Sequence, residues 1–325
     1  MRARPPDDPA AVELGPRPNI MFVGGTGRSG THVLGELIAH NRRFALVPVE
    51  SRFHVNPQGF PDLLTGEVSP EQFLRKLRRF WWRRIPAGEP LAAVAPRIAL
   101  GRETRGLYKA VARDTFDQAT ERFAAAARDG EALDIACRRL FLDLLWPIAD
   151  QAGKRGLVEM STHTVARAPE LARLFPDAKL VHIVRDGRDA GSSKVGKRQK
   201  PHHPKDVAEG VQWWLKRIER VERAVAAAPE GFVLTLSLDE LAAGDRDSAF
   251  GSLVEFMGIR RAPKMRRFLD HHMSAENSSR GRWRQGLTPG EQAEVAAGYE
   301  RAIERLEQQG YPSGALLRAV YERLG

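Results

Sequence analysis

The apolar positions fall into short continuous runs separated by longer stretches with a helical period. Ile20 to Val23 reads as a buried strand, 43–49 (RFALVPV) as a second, 156–160 as a third, 179–184 (KLVHIV) as a fourth and 231–238 (GFVLTLSL) as a fifth. Runs this short, rich in β-branched and aromatic residues, fit strands covered on both faces. Val33, Leu34, Leu37 and Ile38 recur at helical spacing after the first run. Further helices are predicted within 71–84, as a pair over 114–152, around 169–175 and over 205–228. The second of the pair, about 131–149, is expected to stop near Pro147 and Gly153. From about 247 the pattern is helical apart from a glycine- and arginine-rich loop at 277–290. Strands alternating with helices predict a parallel sheet with right-handed crossovers. The fold class is therefore α/β: a single domain with a central parallel sheet flanked by helices.

Ligands in such sheets bind beyond the carboxyl ends of the strands, and three chemically loaded segments lie there. The first, GGTGRSGT (24–31), is a tight turn from strand to helix. Its four glycines, Gly24, Gly25, Gly27 and Gly30, permit positive φ and close backbone approach, so that N–H groups and the positive helix end converge on phosphate or sulfate oxygens. Taken alone, the segment also fits a glycine-rich connection with no ligand. It nearly spells GxxxxGK[ST], but Thr31 and His32 stand at the lysine and magnesium-hydroxyl positions, and Arg28 is the only cation in the loop. ATP hydrolysis of the usual kind is poorly supported by that set, whereas an anion cradle is intact. The second segment is Glu50 in ESRFH. The third is RDGRDAGSS, where Arg185 leaves its strand and Ser193 follows on the next helix, so that both can reach one dianion. An ion pair of Arg185 with Asp186, Asp189 or Glu159 is the alternative.

Composition narrows this further. The chain has 325 residues, 42% of them apolar, a net charge of +10 and a pI near 10.1, which favours anionic ligands without choosing among them. The single Cys137 excludes an intrachain disulfide and sits in an apolar helical pattern, as a buried thiol would. No zinc-type spacing occurs, and His202 and His203 read as a solvated loop. Residues 1–18 hold five prolines and no apolar core, so they are expected to be a disordered tail ahead of a domain at 19–325. No segment approaches about 18 uninterrupted apolar residues, and a cytoplasmic protein without a membrane span is expected. The stretch 71–84 (EQFLRKLRRFWWRR) interleaves basic and aromatic residues. Either it grips an anionic partner, or its aromatics pack inward beneath solvated arginines. The same choice holds for Trp81, Trp82, Trp213 and Trp214.

Together the segments resemble the sulfotransferases that use 3′-phosphoadenosine 5′-phosphosulfate (PAPS), especially the bacterial and Golgi-type branches, over about residues 19–312. The resemblance implies that Gly27, Arg28, Ser29, Gly30 and Thr31 hold the 5′-phosphosulfate. It gives the 3′-phosphate to Arg185 and Ser193 within 174–189 and just beyond, and to Arg280, Gly281 and Arg282 of the late loop RGRWRQGL. Gly187 replaces the usual proline, and Met160 in EMSTHT stands where many relatives carry a lysine. The implied reaction passes a sulfuryl group from PAPS to the hydroxyl of a glycan or small-molecule acceptor by in-line displacement, without a metal. Arg28 would stabilise the leaving phosphate, and a carboxylate would take the proton. Glu50 is the expected base because ESR resembles the ETR-like segment of tyrosylprotein-type relatives; pairing with Arg52 or Arg28 is the alternative, and His54, His163 and Glu159 are reserves. Two other functions compete. A P-loop kinase or NTPase would use Asp239 and Glu240 as a Walker-B-like end, and a basic nucleic-acid-binding module would use 71–84, although no nucleic-acid partner is expected. The acceptor's identity and the oligomeric state are not encoded in any motif.

Overall fold

The computed structural model describes residues 19–83, 106–195 and 203–325. The expected N-terminal tail, Arg84 and His202 lie outside them. Five strands, β1 (Asn19–Gly24), β2 (Phe44–Leu46), β3 (Gly156–Glu159), β4 (Lys179–Val184) and β5 (Val233–Ser237), form one sheet in the order β2-β3-β1-β4-β5. Every neighbouring pair is parallel, with Phe22 opposite Glu159 and Leu180 in the central registers and Leu46 opposite Val158 at one edge. The β2 expected over 43–49 is shorter, although Val47 N still donates to Val158 O at 2.9 Å. Pro48 offers no N–H to extend the ladder.

Alternation along β1 splits the core into two layers. Ile20 and Phe22 face one side; Met21 and Val23 face the other. The first layer is covered by α4 (Arg113–Arg128), α5 (Leu133–Gln151) and α6 (Ala168–Leu174). It also holds Phe53, Phe60 and Phe73, from α2 (Phe60–Leu64), α3 (Pro70–Lys76) and the loop before them. The second is covered by α1 (Thr31–Ala39), α10 (Arg246–Phe256) and α11 (Pro263–His272). A third cluster joins α7 (Gly187–Ser192) and α8 (Val207–Ala226) to α12 (Pro289–Gln308) and α13 (Pro312–Leu324). The short α9 (Leu238–Ala242) follows β5 directly.

Helix α5 passes through Pro147 and ends at Gln151, just ahead of Gly153. Leu144, Leu145 and Ala149 are fully buried on either side of the proline, and that packing outweighs one lost backbone bond. The 71–84 helix changes at Leu77 into a π-helical turn over Leu77–Trp81. Phe73, Leu77, Trp81 and Trp82 are buried while Arg75, Arg78 and Arg79 are exposed, so the aromatics belong to the core. Cys137 is fully buried, and burial pushes its thiol up far beyond ionisation at neutral pH. Among the described residues no helix is long and apolar enough to cross a membrane.

Candidate active site

The turn after β1 is an unusual piece of backbone. Gly27, Arg28 and Gly30 have φ of 87°, 64° and 92°, and Gly30 forms the amino-terminal cap of α1. Gly24 and Gly25, by contrast, are not in the left-handed region; they are required by contact. A Cβ on Gly24 would lie 2.8 Å from Val165, and one on Gly25 would lie 2.5 Å from the carbonyl of Ile183 and 2.3 Å from Ser29 Oγ. Ser29 is fully buried, and its hydroxyl has no hydrogen-bond partner in the protein. An orphaned hydroxyl inside a loop of left-handed residues at a helix start is what a phosphate- or sulfate-binding cradle requires.

Past the carboxyl ends of the strands opens a cavity of about 600 Å³, lined by Thr26, Gly27, Arg28, Gly30, Thr31, Glu50, Arg52, Thr162, His163, Arg185, Lys194, Trp213 and Arg217. The three segments singled out in the sequence therefore meet. Arg28 Nε donates to Ser193 Oγ at 3.0 Å, and Arg185 Nη1 donates to the Arg28 carbonyl at 3.3 Å. The other amino group of Arg185 donates to the Ser279 carbonyl at 3.0 Å. Arg185 thus makes no ion pair with Asp186, Asp189 or Glu159 and presents its charge to the cavity.

The acidic residues after β4 have other work. Asp186 caps α7 through the Arg188 N–H at 2.8 Å and binds the Arg188 guanidinium at 2.6 Å. Asp189 accepts from Gly281 N at 2.8 Å and Trp283 N at 3.1 Å, so the late loop is tied to α7, which Ser193 caps. Arg280 and Arg282 belong to that loop but do not line the cavity. Asp239 accepts the Asp186 N–H at 2.8 Å, and burial, reinforced by the charge of Asp186, pushes its carboxyl up to about 6. Glu240 receives Arg323 at 2.9 Å. Neither lines the cavity, and the Walker-B-like reading of this pair gives way to a structural one.

Glu50 lies at the cavity wall, accepts from Thr162 Oγ1 at 2.6 Å and pairs with Arg52. Arg28 and Arg52 are two of three described non-glycine residues with positive φ, with values of 64° and 61°. Both line the cavity, which is where such strain tends to be kept. Of the reserve bases, His54 and Glu159 do not reach the cavity. They form a fully buried pair 3.1 Å apart, and Glu159 also accepts from Ser51 and Ser161. Burial alone would raise the Glu159 carboxyl, but the His54 charge and these hydrogen bonds hold it down at about 2. The pair fastens the exits of β2 and β3 together. His163 does line the cavity, and burial, with the charges of Arg217 and Arg52, depresses its imidazole to about 4. It is neutral at pH 7.

Met160 is buried in the second core layer, 3% exposed, where no cation belongs. Lys194, Arg52 and Arg217 supply charge to the cavity instead. Lys194 and Arg217 both lie over the Trp213 ring, at 5.3 and 4.6 Å. Trp213 and Arg217 stand one turn apart on α8 and so share a face, but nothing local says that this face meets the loop after β1, and sequence reasoning did not single out Arg217 or Lys194. Thr162 and His163 follow a strand end just as the recognised segments do. Among the described residues no group of three or more His, Cys, Asp or Glu side chains is gathered to hold a metal ion.

Residues 19–264 match the family model described as the Sulfotransferase family. No curated protein matches the chain. Among solved structures, the sulfotransferase domain from the curacin biosynthetic pathway superposes with a TM-score of 0.50 at 14% identity, covering 90% of this chain and 99% of that one. The sulfotransferase domain from the Synechococcus PCC 7002 olefin synthase gives 0.44 at 13% identity, covering 88% and 94%. Mouse sulfotransferase SULT7A1, solved in complex with PAP, gives 0.42 at 14% identity, covering 94% and 89%. At such identities the first of these likenesses concerns the fold alone.

Proposed function

We propose that this chain, which belongs to the sulfotransferase family, uses PAPS and passes its sulfuryl group to an acceptor hydroxyl in the cavity beyond the strand tips. One observation carries the assignment of residues: Gly27, Arg28 and Gly30 of the loop after β1, Arg185 and Glu50, from three different strand ends, line a single cavity. Gly27, Arg28, Ser29, Gly30 and Thr31 hold the 5′-phosphosulfate, with the orphaned Ser29 hydroxyl as one ligand. Arg185 and Ser193 hold the 3′-phosphate. Arg280, Gly281 and Arg282 close over it from the tethered loop. The bound nucleotide supplies the sulfuryl group; the protein supplies position and charge.

Arg28 and the loop N–H groups stabilise the charge that grows on the leaving phosphate. Glu50 takes the proton from the attacking hydroxyl. Thr162 and Arg52 fix the direction of its carboxylate. His163 is a second candidate because it is neutral at pH 7 and lines the same cavity, but an imidazole depressed to about 4 is a weaker proton acceptor than an ordinary one. The acceptor is a small molecule or glycan. The domain spans 19–325, and the protein works in the cytoplasm.

The test is transfer of radiolabelled sulfate from PAPS by purified protein, with calorimetry of 3′-phosphoadenosine 5′-phosphate binding alongside. Arg185→Ala should weaken nucleotide binding about tenfold or more, the size of a lost charge-assisted bond. Unchanged affinity would remove Arg185 from the site, and binding of ATP with magnesium in place of the desulfated nucleotide would favour a kinase.

A further inference from the structure

At the opposite end of the sheet, a second cleft of about 740 Å³ opens between the turn leading into β2 and the α10–α11 connection. Its charged lining consists of Arg42, Arg43, Arg260, Arg261 and Lys264, with His40 beside them and no carboxylate. The walls are fixed rather than loose. Asn41 Oδ1 accepts from Arg43 N at 2.9 Å, and Arg43 Nη1 donates to the Gly258 carbonyl at 3.3 Å across the cleft. Behind the turn, Lys154 Nζ donates to the carbonyls of Ala39 and Phe44 at 2.9 and 2.6 Å. Burial, together with the like charge of Lys264, holds the Lys154 ammonium below its usual range.

The arginines just outside the cleft behave differently. Arg266 is paired with Asp247 and Asp270, and Arg246 with Asp270. Among the described residues, none of the five cleft cations makes an ion pair, although the chain carries 41 acidic side chains. A concave row of unpaired arginines is repulsive when empty. It matches the oxygens of phosphate or sulfate groups, which guanidinium forks bind bidentately.

We propose that this cleft is a second anion-binding site, separate from the sulfuryl-transfer cavity, and that it takes a compact ligand bearing several phosphate or sulfate groups. It sits at the amino ends of β2 and β3, with Arg43 preceding β2 directly, whereas the nucleotide belongs at the carboxyl ends. The two sites are therefore filled independently, and the proposal does not rest on the roles assigned in the catalytic cavity.

The experiment is calorimetry at 0.15 M salt, with the active site saturated by 3′-phosphoadenosine 5′-phosphate. Inositol hexakisphosphate and sucrose octasulfate are the probes, distinguishing phosphate from sulfate preference. One probe should bind with a defined stoichiometry of one. Arg260→Ala/Arg261→Ala should weaken it at least about tenfold, while Arg75→Ala/Arg79→Ala, which removes the same charge elsewhere on the exposed surface, should leave it unchanged. Nucleotide affinity should be the same in all three proteins. If neither probe binds at this salt, or if the two double variants lose affinity equally, the cleft is no more than part of a generally basic surface and the proposal is wrong.

Discussion

Arg28 Nε and Ser193 Oγ, 165 positions apart in the chain, stand 3.0 Å apart and join the glycine loop after β1 to the helix after β4. The bond ties the two segments proposed to hold opposite ends of the nucleotide directly to each other. Ser193→Ala should weaken 3′-phosphoadenosine 5′-phosphate binding several-fold, and Arg28→Ala at least about tenfold. Because the two residues are in contact, the double variant should lose less than the sum. Strict additivity in a calorimetric cycle would mean that the bond does not organise the site.

For the proton, Glu50→Gln keeps the shape of the side chain and removes its basicity. A positioned general base contributes about 10²–10⁴ in rate, so turnover should fall by that order while nucleotide affinity stays near normal. His163→Asn should have the smaller effect. The reverse order of effects on kcat would transfer the role to His163.

Asp189 accepts two N–H groups of the late loop and is 2% exposed. Asp189→Ala should free that loop, leave overall folding intact and raise the dissociation constant for the nucleotide by several-fold or more. Limited proteolysis should show new cleavage near 279–284, and an unchanged digestion pattern would refute the tether.

Gly25→Ala puts a methyl group 2.5 Å from the Ile183 carbonyl, a backbone atom that cannot step aside cheaply. Thermal stability should drop and nucleotide binding should be lost. A variant with wild-type melting temperature and affinity would contradict the packing described for this turn.

His182 and Glu222 lie 3.5 Å apart with both side chains fully buried. Burial pushes the Glu222 carboxyl up to about 7 and the His182 imidazole down to about 3. A carboxyl whose folded pKa is raised binds its proton more tightly in the native state. Its contribution to stability is full below the unfolded value near 4.5 and is lost as pH rises through about 7. Glu222→Gln should therefore raise the melting temperature at pH 8 and leave it nearly unchanged at pH 4.5, a difference on the order of 2–3 kcal/mol. Equal shifts at the two pH values would show that the carboxyl stays neutral throughout.

Much of this was legible beforehand, for local reasons. KLVHIV became β4 at the expected residues because a run of that kind is stable only when covered on both faces. The turn after β1 was legible because Gly27 and Gly30 are needed where the backbone turns left-handed. Glu159 and His54 misled because an acid at a strand end looks the same whether it faces a cavity or is enclosed with a histidine.

The sequence by itself determined the strand and helix periods, the parallel sheet, the glycine-rich turn after β1 and the three strand tips whose segments meet, since each depends on residues close together in the chain. Only the tertiary structure decided which charges remain available. Arg185 is free of its neighbouring aspartates because Asp186 is taken by Arg188 and Asp189 by the late loop. Arg217 and Lys194 reach the cavity, and Arg42, Arg43, Arg260 and Arg261 gather elsewhere, because packing brings together side chains that no spacing relates. Burial and partners set the charge of an ionisable group, and both are properties of the folded chain.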